Sequence, residues 1–466
     1  MNNSRVDLVV VGGGIAGLTA ANRGAQLGLK TVVLEKGVEE KYLCNTRYTG
    51  GTLHICMDDI MAGEETHLAA IERICDGARP DLARAVARNA GRAVCWLQGE
   101  GCKFIKASAS PHHRWVLAPP GRVRPGLDWE GRSGDVLLRR LGENLAKRGG
   151  TFIRGARAKR ALTENGRCIG VTAEIDGATK EFNAKSVILA DGGFQASLDL
   201  LRNHITEYPE KLHQRNAGTG VGDGLRMAQE AGAAVAGTER FYGHLLSLDA
   251  LTKDGLWPYP YLDSVVTAGV LVGKEGSRFT DEGLGGVNAA NGVALLKDPQ
   301  SAAVVFDDAI WETAGRHGLI AANPHLPREG ATMYQADNLG DLARMLDMPN
   351  LEQTIQAYNA AIASGATEGL SPPRSTLKGA PMVIQAPPFR AAPVVAGITY
   401  TMGGVSIDGN ARVLSIDDTP IEGFYAAGAT TGGLEGGSGV GYVGGLSKSA
   451  VTGLLAAEHA AGVPAH

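Results

Sequence analysis

Apolar runs and their periods divide the chain before any single residue is considered. Val6–Val11 is an unbroken apolar run that stops at glycines, the pattern of a strand buried on both faces of a parallel sheet. A helix is expected from Ile15 to about Leu27, and a second strand over 31–34 ends at Glu35, giving a compact βαβ unit. Alternation over 151–178, with a turn at Glu164-Asn165-Gly166, predicts a small β-meander. Residues 186–194 predict a buried strand entering a glycine turn, and 219–233 open on glycines and become helical. Further helices are expected over 80–100, 134–148, 300–316, 350–363 and about 446–460. VTAGVLVGKEGSRFTDE reads as strand, turn, strand, and 107–132 as a loop.

The chain has 466 residues, long for one core, so two domains are expected. Glycine, at 65 of 466, is about twice its usual share of roughly 7%. It clusters at both ends of the chain and fades in between. Glycine is required where backbone turns at positive φ or approaches a ligand closely, so these clusters read as a cofactor cradle. The resulting expectation is one α/β domain built from 1–235 and 371–466, interrupted by a smaller domain over 236–370.

The net charge of −4 and the scattered arginines argue against nucleic-acid binding. The six cysteines, at 44, 56, 75, 95, 102 and 168, have neither CxxC nor metal spacing, which argues against haem, iron–sulfur or metal sites in this chain. They read as free thiols in a reducing cytoplasm. The N-terminal apolar run ends in the glycine turn and is a strand rather than a signal peptide. No run of about 18 apolar residues predicts a membrane span.

VVVGGGIAG places Gly12, Gly14 and Gly17 as GxGxxG directly between a strand and a helix. The first glycine makes the tight turn, the second admits a pyrophosphate, and the third lets helix pack on strand. The helix N-terminus, with Ile15 and Ala16, then faces the negative charge. Glu35, at the end of the second strand, stands where a carboxylate binds ribose hydroxyls. Strand, helix, second strand and acid all agree, which makes this a specific dinucleotide signature.

Three further stretches accompany it: CNTRYTGG at 44–51, LADGGF at 189–194 and FYAAGATTGG at 424–433. With GTGVGDGLRMAQEAGA, EGSRFTDE and TMGGVSID, they make nearly the whole chain resemble the FAD-dependent fumarate reductase/succinate dehydrogenase flavoprotein superfamily. The likeness is strongest to its tricarballylate and 3-ketosteroid dehydrogenase branch. The resemblance implies an α/β, Rossmann-like (glutathione-reductase-type) FAD-binding domain with an inserted α+β capping domain, and non-covalent FAD. It implies that Gly12 to Gly17, Glu35 and Lys36 hold the ADP part and that Asn45, Thr46, Thr49, Gly50 and Gly51 line the pyrophosphate and flavin. Ala158 is placed near adenine. Ala190, Asp191, Gly192, Asp223, Gly403, Gly428 and Gly444 complete the cofactor set. The ribityl-binding Glu of many relatives is Ala429 here.

Against the reductases in that family, the chain keeps His244 but lacks the Pro-Thr that follows it. It has EGLGGVNAA where they place an arginine proton donor, and it has Tyr400 where they keep a histidine before TMGG. Loss of the arginine argues against fumarate reduction. Dehydrogenation beside a carbonyl needs a donor for the enolate oxygen, a base for the α-proton and a hydride acceptor. Tyr400 and Tyr442 are the candidates for base or enolate donor, with His244 and His54 as polar contacts. Alternatives are reduction of an activated C=C bond, a flavin oxidase or monooxygenase, and a flavin-binding electron-transfer subunit. His112, His113, Arg114, Arg122 and Arg124 read either as a carboxylate site or as a solvated loop. Cys44 reads as a free buried thiol rather than a covalent flavin link. The expected partners are a small-molecule substrate and an external electron acceptor that the sequence does not name.

Overall fold

The computed structural model describes residues 6–121, 128–318 and 320–464. Its first sheet has a parallel core in the order Pro420–Ala426, Ala178–Leu189, Val6–Val11, Thr31–Glu35 and Thr151–Arg154. Leu8, Val9 and Val10 have no exposed surface, so the first strand is buried on both faces, as its unbroken apolar run requires. The chain then leaves this sheet as the antiparallel meander Arg157–Glu164, Arg167–Ile175 and Ala178–Leu189. Asn165 and Gly166 turn its first hairpin with φ of 50° and 76°, the left-handed pair that Asn-Gly supplies readily. Helix Ile15–Gln26 packs against both Ser133–Lys147 and Gly445–Ala460, so both ends of the chain build this layer.

The second sheet is organised by one long strand, Phe389–Thr401, which pairs with His213–Gln214, Phe241–Ser247, Ala303–Phe306 and Tyr334–Ala336. Val270–Val272 extends the sheet beyond Ala303–Phe306. The fold is thus α/β, with a parallel cofactor-type sheet and a cap. The division at 235/236 and 370/371 stands as a proposal; the cap sheet takes its long central strand from the C-terminal side of that second boundary.

Three local expectations change. Residues 300–316 are not one helix: AVVF is a fully buried strand, and Asp307 then caps a short helix, Asp308–Glu312, by accepting from Ile310 N at 3.0 Å. In the 266–282 stretch only Val270–Val272 is a strand. Arg278 makes a single bridge to it, while its guanidinium forms a buried ion pair with Glu282 at 2.6 Å. Within the expected 107–132 loop, Val116–Ala118 pairs with Lys103–Ile105.

Candidate active site

Two cavities meet where the parallel strands end, the position at which open α/β sheets bind ligands. The first is built by the turn after strand Val6–Val11. Gly12 has φ of +104°, and a Cβ there would lie 2.7 Å from the Ala190 carbonyl carbon. A Cβ on Gly17 would overlap the Gly12 carbonyl oxygen, so helix and strand touch only because both positions are glycine. Gly14, Ile15 and Ala16 face the cavity, with Glu35, Lys36, Ala158, Ala190, Asp191, Gly192 and Asp223 around it. Asn45 and Thr46 line both cavities; Thr49 and Gly50 line the second.

The electrostatics suit a dinucleotide. Glu35 accepts from Gly13 N at 2.8 Å and Gly37 N at 2.7 Å, leaving carboxylate lone pairs for ribose hydroxyls. Burial pushes its carboxyl up, and those backbone donors pull it back down. Asp191 accepts from Gly224 N at 2.7 Å, and burial raises its carboxyl to about 6. The Gln195 side-chain carbonyl is buried without a partner on this wall. A Cβ on Gly192 would meet nothing within 4 Å, so backbone is open to a ligand there. These acceptors, the glycine turn and the helix N-terminus fit FAD.

Five glycines expected at the cofactor do not line either cavity. Gly17 and Gly428 space helices against the turn, Gly428 beside Ala16 and Ser449. Gly51 sits against Ser133, Gly444 against the His54 carbonyl, and Gly403 against Gly237. Gly403 serves a close crossing of two backbones.

The second cavity, about 280 Å³, is walled by Tyr48, Tyr242, Tyr259, Tyr261, Tyr400 and Tyr442 with His54 and His244. Three of these come from two paired strands. Tyr242 and His244 point to one face because strand side chains alternate, and Tyr242 sits directly across from Tyr400. The register slips after Tyr242, leaving Thr399 as an extra residue on the long strand. Its carbonyl accepts from Asn45 Nδ2 at 2.8 Å and its hydroxyl from Arg215 at 3.0 Å, tying cap to cradle.

Tyr400 is not free. Its hydroxyl donates to both Glu435 oxygens, at 3.0 and 3.1 Å. Glu435 is 4% exposed and Lys448 1%, and they form an ion pair at 2.6 Å. Val443 N also donates to Glu435, at 3.0 Å, so this carboxylate clamps the loop that carries Tyr442. Burial and the adjacent Glu435 charge push the Tyr400 phenol well above its usual range. Tyr442 differs: its oxygen accepts from Gly445 N at 3.2 Å, at the start of helix Gly445–Ala460, and its own proton is not used in that bond. Its ring stacks on Tyr242 with centroids 3.9 Å apart.

His244 lies in a chain of bonds. Nδ1 is 2.6 Å from Asp263 Oδ2, and Nε2 is 3.0 Å from the Tyr242 hydroxyl. Asp263 is fixed in turn by Leu245 N at 3.1 Å. Burial lowers the His244 pKa despite Asp263, so the ring is neutral at pH 7. A neutral ring beside a carboxylate carries its proton on Nδ1, which leaves Nε2 to accept from Tyr242. His54 accepts from Met57 N at 3.1 Å through Nδ1, and burial lowers it to about 3, making it a neutral Nε2–H donor. His112 and His113 join this wall, Arg114 instead pairs with Asp59 at 2.9 Å, and Arg122 and Arg124 lie outside the described residues.

Sequence reasoning missed Tyr242, Asp263, Arg215, Glu435 and Lys448. Tyr242 had a signal, standing two positions before His244 on a strand. Lys448 had one as well, as the one cation in the 445–458 stretch of its helix. Among the described residues no group of three or more His, Cys, Asp or Glu is placed to hold a metal ion, and no helix is long and apolar enough to cross a membrane.

A dinucleotide cradle opening into a tyrosine-walled second cavity defines a flavoprotein oxidoreductase. Residues 7–441 match the family described as FAD binding domain, and the chain belongs to that family. FAD is its cofactor. The 4-oxocyclohexanecarboxylate 2-dehydrogenase of Sinomonas cyclohexanicum is 28% identical, covering 92% of this chain and 88% of that protein. The NADH:acrylate oxidoreductase of Vibrio harveyi is 27% identical over 78% of this chain, which spans only 35% of that longer protein. Fumarate reductases are also among the relatives. Among solved structures, the 3-ketosteroid delta1-dehydrogenase of Sterolibacterium denitrificans shares the fold, with a TM-score of 0.73 at 19% identity over 98% of this chain and 99% of that one.

Proposed function

We propose that the protein is an FAD-dependent dehydrogenase that forms a C=C bond next to the carbonyl or carboxylate of a small cyclic ketone or carboxylic acid. The observation that carries this reading is the Asp263–His244–Tyr242 chain ending beside Tyr442 on one cavity wall. When bound, the flavin supplies the hydride acceptor. The Tyr442 hydroxyl, which accepts from Gly445 N–H at a helix start, hydrogen-bonds the substrate oxygen and so stabilises developing enolate charge. The Tyr242 oxygen takes the α-proton as its own proton passes to His244 Nε2, and Asp263 stabilises the imidazolium formed. A free Tyr242 phenolate is disfavoured, because burial and then the neighbouring Tyr442 push the phenol well above its usual range. The handoff to His244 removes the need for one. His54 contributes an Nε2–H donor. Tyr400, bonded to Glu435, is assigned to holding the wall rather than to proton transfer.

The names of the relatives bracket both directions of this chemistry, a ring dehydrogenase and an acrylate reductase. Dehydrogenation is favoured because, among the described residues, no cation stands at the base position; that position holds a phenol and an imidazole. The decisive experiment is anaerobic stopped-flow mixing. Oxidised enzyme bleached by saturated ketones or acids supports the reading; reduced enzyme reoxidised only by enones or enoates would sink it. FAD is assigned as non-covalent, since burial pushes the Cys44 thiol on the cradle up to about 11 and keeps it unreactive. Acid precipitation should release the yellow colour, and colour retained in the pellet would contradict the assignment. The six unpaired thiols support a cytoplasmic setting, with electrons leaving to an external acceptor.

A further inference from the structure

Arg215 stands apart from everything the proton chemistry uses. It lines the tyrosine-walled cavity, and the described lining contains no other Arg, no Lys, no Asp and no Glu. Its partners are neutral: Nε donates to the Pro258 carbonyl at 3.1 Å, NH1 to the Thr399 hydroxyl at 3.0 Å, and the guanidinium lies 5.4 Å from the Tyr259 ring centroid. The other groups that could carry charge are silent at neutral pH. His54 is lowered to about 3 and His112 to about 4 by burial, and burial also lowers His244. Asp263 lines the adjoining cavity rather than this one and is committed to His244 and to Leu245 N. The described wall thus carries one permanent positive charge and no counter-charge.

A guanidinium fixed at Nε and NH1 on the wall of a cavity, with donors beyond those two bonds, is arranged to receive a carboxylate. The walls beside it are flat rings, Trp257, Tyr259 and Tyr261. We infer that Arg215 forms the anion subsite of the substrate pocket and that the substrate is a monocarboxylate whose ring lies against these aromatics, with its reacting carbonyl at Tyr442. The inference rests on the dehydrogenase reading and narrows it. A single cation matches one carboxylate; a di- or tricarboxylate would leave charge uncompensated among phenols, and a neutral ketone would leave the guanidinium without its anion.

The test uses holoenzyme and reads binding by perturbation of the flavin absorbance spectrum. The probes are 4-oxocyclohexanecarboxylate, the uncharged 4-oxocyclohexanecarboxamide and the dicarboxylate succinate. The carboxylate should bind roughly 10- to 100-fold more tightly than the amide, the range expected for hydrogen bonds to a charged group. Arg215→Met should erase that preference and leave amide binding within about threefold, while Arg215→Lys should keep part of it. Equal binding of carboxylate and amide by the unmodified enzyme would overturn the subsite, as would succinate binding as tightly as the monocarboxylate, or no binding of either ring probe. These outcomes need no variant to fold. Selective carboxylate binding without flavin bleaching would keep the subsite and instead count against the dehydrogenase reading.

Discussion

Two tyrosines stand out from the sequence, and the structure separates them by what their hydroxyl protons do. Tyr442→Phe removes a phenol whose oxygen is held by Gly445 N–H at 3.2 Å and which the proposed mechanism aims at the substrate oxygen. Loss of one donor to a developing oxyanion costs about 10²- to 10³-fold in rate. Tyr400→Phe removes a phenol whose proton is bound to Glu435, a carboxylate that Lys448 and Val443 N also hold. That bond to a charged acceptor contributes roughly 1.5–3 kcal/mol to stability. At about 2.1 cal/mol/K of unfolding entropy per residue, a chain of 466 residues melts only about 2–3 °C lower. The expected pattern is therefore crossed: Tyr442→Phe slows flavin reduction about 100-fold or more with an unchanged melt, and Tyr400→Phe lowers the melt with a rate within about fivefold. Single-turnover stopped-flow at the flavin band and thermal unfolding of the holoprotein measure both. A Tyr400→Phe enzyme slowed more than a Tyr442→Phe enzyme, at equal flavin content, would refute the assignment.

The relay predicts that Asp263→Asn slows flavin reduction on the order of 10²-fold or more without loss of FAD, because His244 loses the acceptor that fixes its tautomer. It also fixes a pH profile: the relay needs neutral His244, whose pKa lies below the ordinary 6.5, so the rate should be flat above that value and fall only at lower pH. An acid limb centred above 6.5 would contradict this. Gly17→Ala should yield colourless protein, since the new methyl overlaps the Gly12 carbonyl and shifts the turn; full FAD content would show that the turn tolerates it. Lys448→Met strands Glu435 in the core and should cost about 3–5 kcal/mol in denaturant unfolding. A Glu435→Met/Lys448→Met double variant should recover part of that loss.

The cofactor half was legible because its physics is local. A glycine turn, a helix N-terminus and a strand-end acid all fall within residues 6–35, and each leaves a residue type at a fixed spacing. The same locality limits what glycine alone tells at Gly51, Gly403 and Gly444. Glycine marks close approach, and at these positions what approaches is another segment of the same chain: Ser133, Gly237 and the carbonyl of His54. The expected 300–316 helix failed for a related reason. Ala303–Phe306 is buried from both sides by its strand partners, and an apolar run of that length carries no period to separate strand from helix.

The catalytic wall was half legible, and its missing half is non-local. Tyr400 and Tyr442 could be picked out by type and motif, but their roles depend on Glu435, which reaches both the Tyr400 hydroxyl and the backbone that carries Tyr442. Asp263 meets His244 from 19 positions away, and Arg215 is aimed by Pro258 and by Thr399, 184 positions on. What the absence of a reductase-type arginine signifies is likewise set by assembly. Among the described residues one arginine reaches the cavity, Arg215, but it is held by the Thr399 hydroxyl on the bulged strand and stacked on Tyr259, fixed at Nε and NH1. In the proposed mechanism the proton-handling positions are filled by Tyr242, His244 and Tyr442 instead. Positive charge and proton transfer are thus assigned to different residues. In that arrangement an anionic substrate can be gripped by a group whose protonation never changes, while the α-proton leaves through groups whose protonation can.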